Sequence, residues 1–270
     1  MPLPSIPLAQ GVHVAHLFFR VDRALWQTLP PGAAAEALAR LEAVCKENPG
    51  PAAPRVMTFA NVGGKADAAF LLFAGELQQL STLQRAVETA FPAGTLRPVY
   101  QYLSVTELPE YVATDDDLRA ILAREGVTPG TPGFEERFEA ARRRNATYQH
   151  DRLHPQMPDW EIMCFYPMSK KREGQDNWYL LDFETRKHLM AGHARTGRKY
   201  AGRISQLITG SSGLDDWEWG VTLMAHQLDA VKEIVYEMRF DEVSARYGQF
   251  GPFYINLRLA PADLWAHLYL

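Results

Sequence analysis

One order of hydrophobic periodicities occurs twice along the 270 residues, and it constrains the fold more than any other feature. In the first half, Val12–Val21 alternates as a strand, and Ala33–Lys46, rich in Ala, Leu and Glu, reads as a helix. Val56–Val62 and Ala68–Ala74 read as a hairpin around Gly63-Gly64-Lys65. Leu77–Phe91 returns to helical spacing and Thr95–Glu107 to extended chain. In the second half, Trp160–Pro167 is a strand, Glu184–Ala194 a helix, and Arg203–Thr209 and Trp217–Met224 are strands. Leu228–Tyr247 then reads as a long amphipathic helix and Phe253–Leu259 as a final strand. Each half is a βαββαβ unit, the ferredoxin-like arrangement. The fold class is therefore α+β: two ferredoxin-like repeats forming a subunit of the dimeric α/β-barrel type. Each antiparallel sheet carries helices on one face only, so the two open faces are expected to cover each other around an enclosed space.

Residues 1–110 are assigned to the first repeat, 111–158 to a connector and 159–270 to a second repeat that carries a ligand pocket. In the connector, Asp115–Arg124 and Phe134–Arg144 are charged helices, and Arg142-Arg143-Arg144 reads as a solvated face. Tyr148–Pro158 sets His150, Asp151, Arg152 and His154 near prolines and reads as an irregular functional loop. The formal net charge of -4 gives no reason to expect nucleic acid as a partner. The apolar runs are too short to cross a bilayer, and MPLPSIPLAQ does not read as a secretory signal. Cys45 and Cys164 are far apart and have no metal-site spacing, so a reducing cytoplasm is the expected compartment.

Chemistry concentrates between Asp176 and Tyr254. On the helix Glu184–Ala194, Leu189, Met190 and His193 fall three and four residues apart on one side, and Gly192 leaves room for a flat, bulky group. His188 and His193 are five residues apart and do not share a helix face, which excludes a joint zinc site. A single protein ligand suits haem iron, whose porphyrin supplies four nitrogens. Tyr166, Met168 and Lys170 share one strand face, and Gln206 is a polar amide on the face of Ile204 and Ile208.

The segments FYPMSKKREGQDNWYLL, MAGHARTGRKYAGR, ITGSSGLDDWEWGVTL and VYEMRFDEVSARYGQFGPFY resemble the chlorite dismutase-like superfamily. Within it they are most similar to the coproheme decarboxylases, the haem synthases of the HemQ type. The resemblance is dense from Tyr148 to Tyr254 and loose over the first half. It implies the two-repeat fold, a ring-shaped homopentamer, and porphyrin bound in the second repeat. It further implies hydrogen peroxide-driven conversion of two propionates of iron-coproporphyrin III (coproheme) to vinyl groups, giving haem b. Coproporphyrin ferrochelatase is the transient partner implied. By the same resemblance His193 is the proximal iron ligand. Tyr166 is the tyrosine whose radical takes hydrogen from a propionate, and Lys170 assists decarboxylation and holds a propionate. Arg152 and Ser244 grip propionates, Arg239 lies near the substrate, and Pro167, Met168 and Ser169 belong to the pocket-lining segment. Chlorite dismutases carry an arginine at the position of Gln206. A neutral amide cannot supply that charge, so Gln206 points away from chlorite chemistry and toward the Firmicute type of decarboxylase. Chlorite dismutation and non-catalytic haem carriage or sensing are the alternatives. Glu184, Glu237 and Glu242 are the candidates for orienting the proximal imidazole. The tail Ala260–Leu270 is expected to pack on a neighbouring subunit, and Trp217 and Trp219 to share a strand face in core or interface.

Overall fold

The computed structural model describes residues 8, 11–50 and 53–270. The N-terminal stretch MPLPSIPLAQ, apart from Leu8, lies outside the described residues. The first repeat runs β1 (His13–Val21), α1 (Arg23–Trp26), α2 (Ala33–Glu47), β2 (Arg55–Val62), β3 (Ala68–Ala74), α3 (Leu77–Ala90) and β4 (Leu96–Val105). Gly63 and Gly64, with φ of 93° and 75°, make the turn between β2 and β3 in a region other residues rarely adopt. Two connector helices follow, α4 (Asp115–Arg124) and α5 (Pro132–Leu153). The second repeat comprises β5 (Ile162–Lys170), α6 (Phe183–Arg198), β6 (Ile204–Gly210), β7 (Trp219–Ala225) and α7 (Leu228–Met238). It closes with β8 (Gly248–Phe250), β9 (Tyr254–Arg258) and α8 (Pro261–Leu268).

Strand order is β7-β6-β4-β1-β3-β2-β9-β5-β8, and β7 also pairs with β5. That pairing closes eight strands into an antiparallel barrel and leaves β8 outside it, beside β5. Within the ring, β4-β1-β3-β2 and β6-β7-β5-β9 are the two ferredoxin-like sheets, joined where β4 meets β6 and where β2 meets β9.

β1, β2 and β3 are buried on both faces over most of their length, and the period of two decides which residue goes where. On β1, Ala15, Leu17 and Phe19 face outward to α2, α3 and α8, whereas Val14 and Phe18 face the interior. The expected enclosed space is filled. His16 stacks on Phe165 at 4.1 Å and its Nε2 bonds Thr222 Oγ1 at 2.7 Å, with Tyr102 and Tyr254 around them. Burial pushes the His16 pKa down to about 3, so this histidine is a neutral core group. Gly220 makes room for that packing, since a Cβ there would lie 2.6 Å from Tyr102 Cε1.

Three other expectations change. Tyr148–Leu153 is not loop but the last turns of α5, because the charged periodicity continues to a C-cap at His154. The long helix Leu228–Tyr247 is interrupted after Met238, and a five-residue π-helical turn, Val243–Tyr247, follows. The C-terminal Leu264, Trp265 and Leu268 pack into the chain's own first repeat, filling space over α2 and α3. Among the described residues no helix is long and apolar enough to cross a membrane.

Candidate functional site

The open space lies outside the barrel, between the second sheet and its helices. A cavity of about 400 Å³ is floored by Tyr166 and Met168 of β5, Ile208 of β6, and Val221 and Leu223 of β7. Met190 and His193 of α6 and Ile234, Val235 and Met238 of α7 roof it. Residues 107–111, which follow β4, and Arg152 of α5 form a further wall. The volume and the mixture of apolar walls with a few polar groups are those of a small-molecule site.

Asp182 begins α6 by accepting the Thr185 amide at 2.9 Å, a side-chain N-cap. The helix runs a turn past Ala194 to Arg198 and buries no residue. His193 Nδ1 lies 3.1 Å from Asp241 Oδ2. A carboxylate there fixes the proton on Nδ1 and leaves Nε2 as the nitrogen for a metal. Asp241 is held in turn by Ser244, whose amide and hydroxyl both donate to it at 3.0 Å. Burial raises the Asp241 pKa, but the bonds from His193 and Ser244 outweigh it and hold the carboxyl below the usual range. The acid beside the imidazole is Asp241, not one of the three glutamates. Glu237 takes Lys199 and Tyr200, and Glu242 takes Arg246. The break after α7 brings Asp241 to the imidazole, and no periodicity in the sequence signals it.

Strand alternation divides the Tyr166–Lys170 segment. Tyr166, Met168 and Lys170 line the cavity. Pro167 and Ser169 do not, because they occupy the other face of β5, where the Ser169 hydroxyl accepts the Glu218 amide at 3.3 Å. Arg239 also stays out of the lining, its guanidinium over Phe250 at 5.4 Å. Arg152, Gln206 and Ser244 do line the cavity. Beside Gln206, a Cβ at Gly197 would stand 3.5 Å from the Gln206 Nε2, so the last turn of α6 passes close over the amide. At Gly192 a Cβ would meet only Arg195 Nη2, at 3.9 Å, which leaves the helix face open. Trp219 lines the cavity, whereas Trp217 packs toward the barrel interior.

Tyr166 is buried and stacked on Phe253 at 4.3 Å, and its hydroxyl has no hydrogen-bond partner among the described residues. Burial pushes its pKa far above the usual value. Lys170 is 8% exposed, with its ammonium 4.7 Å from the Trp178 ring centroid. Its backbone N–H donates to Glu218 Oε2 at 2.8 Å, but its ammonium has no ion-pair partner among the described residues. Burial lowers the Lys170 pKa to about 8, against opposing pulls from Asp241 and Glu218. Arg152 Nε is likewise buried without a hydrogen-bond partner among the described residues. Two cations thus face the cavity incompletely paired, an arrangement that favours an anionic ligand. Trp178, Glu107 and Tyr111 also line the site, and sequence reasoning did not select them.

Fold and site together define a doubled ferredoxin-like barrel with one metal-competent imidazole over an apolar, anion-attracting cavity. Residues 34–259 match the family model described as chlorite dismutase, and the chain belongs to that chlorite dismutase-like family. Proteins of Haloquadratum walsbyi and Halobacterium salinarum, both provisionally named for heme binding, are each 39% identical over 97% of this chain. The chain spans about half the length of these curated relatives, 46% and 50%. A solved structure described as a novel heme-binding protein from Thermus thermophilus is 38% identical. Its TM-score is 0.78, with 100% of this chain and 99% of that one covered. A mutant chlorite dismutase from Candidatus Nitrospira defluvii is 17% identical with a TM-score of 0.71, over 97% of this chain and 98% of that one, which shows the fold alone.

Proposed function

We propose that the cavity takes an iron porphyrin on His193 Nε2, and that the chain is a coproheme decarboxylase. It would use hydrogen peroxide to convert iron-coproporphyrin III, its substrate and redox centre, to haem b by oxidative decarboxylation. The observation that carries this reading is the pairing of opposites: an imidazole with a free Nε2 on one wall, and two under-paired cations, Lys170 and Arg152, around the same apolar space. A porphyrin with an iron centre, flat apolar faces and carboxylate arms satisfies all three features at once. The names of the relatives at 38–39% identity support a haem-type ligand.

Bound iron and peroxide supply the oxidising power. The chain's residues do the rest. Asp241 holds the imidazole in one tautomer and orientation. Tyr166 keeps its proton across neutral pH and so offers hydrogen-atom chemistry rather than a phenolate. Lys170, with its pKa near 8, can hold a carboxylate and also exchange a proton close to neutrality. Arg152 supplies a second cation with a planar guanidinium, and the aliphatic walls exclude water. We further propose a ring-shaped homopentamer, a cytoplasmic setting and delivery of substrate by a coproporphyrin ferrochelatase.

The test is mass spectrometry of iron-coproporphyrin III bound to the protein, before and after peroxide. Two successive carboxyl losses are expected in the wild type. The Tyr166→Phe protein is expected to bind the substrate and make no haem b; normal turnover in that variant would remove the tyrosine from the mechanism. The relatives' names, which say heme binding and no more, are equally compatible with one rival, a haem carrier, in which the same substitution leaves function intact. With Gln206 in the cavity, chlorite is expected to give little oxygen.

A further inference from the structure

We propose that Arg186 and Lys187 clasp α6 to the connector, and that this clasp sets how firmly His193 is held over the cavity and how fast a porphyrin leaves. The inference rests on the porphyrin reading of the cavity. Helix α6 carries the imidazole yet buries no residue, so apolar packing alone does not seat it. On its inner face Leu189 and Met190 pack half-buried against Trp178, Val243 and Tyr247, and at its start Phe183 lies against Tyr111 at 5.6 Å. Charged contacts add to this partial packing.

Lys187 Nζ donates to Asp117 Oδ1 at 2.6 Å. That carboxylate is already oriented, because Thr114 donates to Oδ2 through both its amide and its hydroxyl at 2.9 Å. The capping box of α4 thus presents Oδ1 to the lysine. The bond from Lys187 is the largest influence on Asp117 and helps draw its pKa down to about 2. One residue earlier, Arg186 donates to the Glu110 carboxylate, to Tyr111 Oη at 3.1 Å and to Leu181 O at 2.6 Å. Glu110 and Tyr111 are themselves cavity wall, so the segment that α6 grips also bounds the ligand space. At the far end of the helix, Lys199 and Tyr200 bind Glu237 at the end of α7. The helix is fastened at both ends by polar contacts, above an opening.

Partly exposed ion pairs weaken as salt rises, whereas apolar packing does not, and this separates the clasp from ordinary packing. The experiment uses haemin as probe and follows its transfer from the full chain to excess apomyoglobin. Lys187→Met cuts one strand of the clasp without touching the capping box, and Glu110→Gln removes the ion pair from the other while Arg186 keeps its bonds to Tyr111 and Leu181. At low salt each is expected to release haem about two- to fivefold faster, with the double variant faster still. Added sodium chloride should accelerate release from the wild type and have less effect on the double variant. Arg97→Gln removes a surface pair to Asp22 in the first repeat, away from the clasp, and should behave as wild type. Wild-type rates in both clasp variants, or equal acceleration by Arg97→Gln, would overturn the proposal while leaving the porphyrin reading in place. Failure of the wild type to take up haemin would overturn both.

Discussion

The first helix of each repeat occupies the same topological position, and the two meet different surroundings. Helix α2 lays Ala37 and Leu41, each 0% exposed, on the outer face of its sheet, and α8 fills the remaining space. Helix α6 buries no residue fully and stands over a cavity of about 400 Å³. The second helices differ much less: α3 buries Leu80, Leu83 and Val87, and α7 buries Ala230, Val231 and Ile234. The gap in the second repeat therefore opens where its first helix stands off the sheet, with α7 completing the roof. At the α2 position the sequence supplies Ala and Leu; at α6 it supplies Arg186, Lys187, His188, Gly192 and His193. A fold built twice can keep one copy for stability and open the other for chemistry.

The most direct way to break that comparison is to truncate matching residues. Leu41→Ala should destabilise the protein by about 2–5 kcal/mol, since it empties a close-packed site. Met190→Ala, on the cavity side of α6, should change the stability of the ligand-free protein by less than about 1 kcal/mol, because the side chain already borders open space. Urea unfolding of the two variants measures both. Equal losses would mean that α6 is packed as tightly as α2 and that the contrast is false.

The contrast was partly legible in the amino acids. Period two on the strands and the helical spacing of α2, α3 and α6 gave the repeats, with ends moved by a residue or a few. The polar character of α6 and the shared face of Tyr166, Met168 and Lys170 located the cavity's furniture. Strand alternation also argued against Pro167 and Ser169, which entered only through the resemblance. What did not show was where the empty space lay. Two sheets facing each other suggested an interior cavity, yet the bulk of Phe18, Phe165, Tyr102 and Tyr254 fills it, a matter of volume rather than pattern. Asp241 was hidden for a different reason. A hydrophobic pattern that runs through Val243 reads as one helix, and the interruption that brings the acid to His193 is tertiary.

Lys170 sharpens the comparison from the electrostatic side. The cluster beneath α2 is built of apolar side chains, whereas the second repeat buries an ammonium with no ion-pair partner among the described residues. Burial lowers its pKa from 10.5 to about 8 in the folded chain. Between those values the unfolded chain binds more protons than the folded one, so stability should rise with pH across that window, by an amount on the order of 3 kcal/mol at most. Below about pH 8 the folded chain carries the full strain of a buried charge. Lys170→Met should therefore stabilise the ligand-free protein at pH 7 and abolish the alkaline rise, while weakening its hold on an anionic porphyrin. Wild-type affinity for that ligand should fall as pH passes upward through about 8. A flat stability profile from about pH 7 to pH 10, in unfolding measurements, would place the ammonium in solvent.

The smallest expected effect separates two roles for Ser244. The family resemblance implies that its hydroxyl grips a propionate, yet in the structure that hydroxyl donates to Asp241, the carboxylate behind His193. If Ser244 acts through Asp241, Ser244→Ala should weaken haemin binding by several-fold, corresponding to about 1 kcal/mol for one hydrogen bond to a charged acceptor. Asp241→Asn should weaken it more, by about ten- to a hundredfold, as expected for the partner that orients a metal-bound imidazole. The two losses should not add, since removing the serine from a chain already lacking the carboxylate takes away nothing further. Additive losses would return Ser244 to direct contact with the ligand. Titration of the two single variants and the double variant with haemin decides it, because only a shared path through the imidazole makes the second substitution silent.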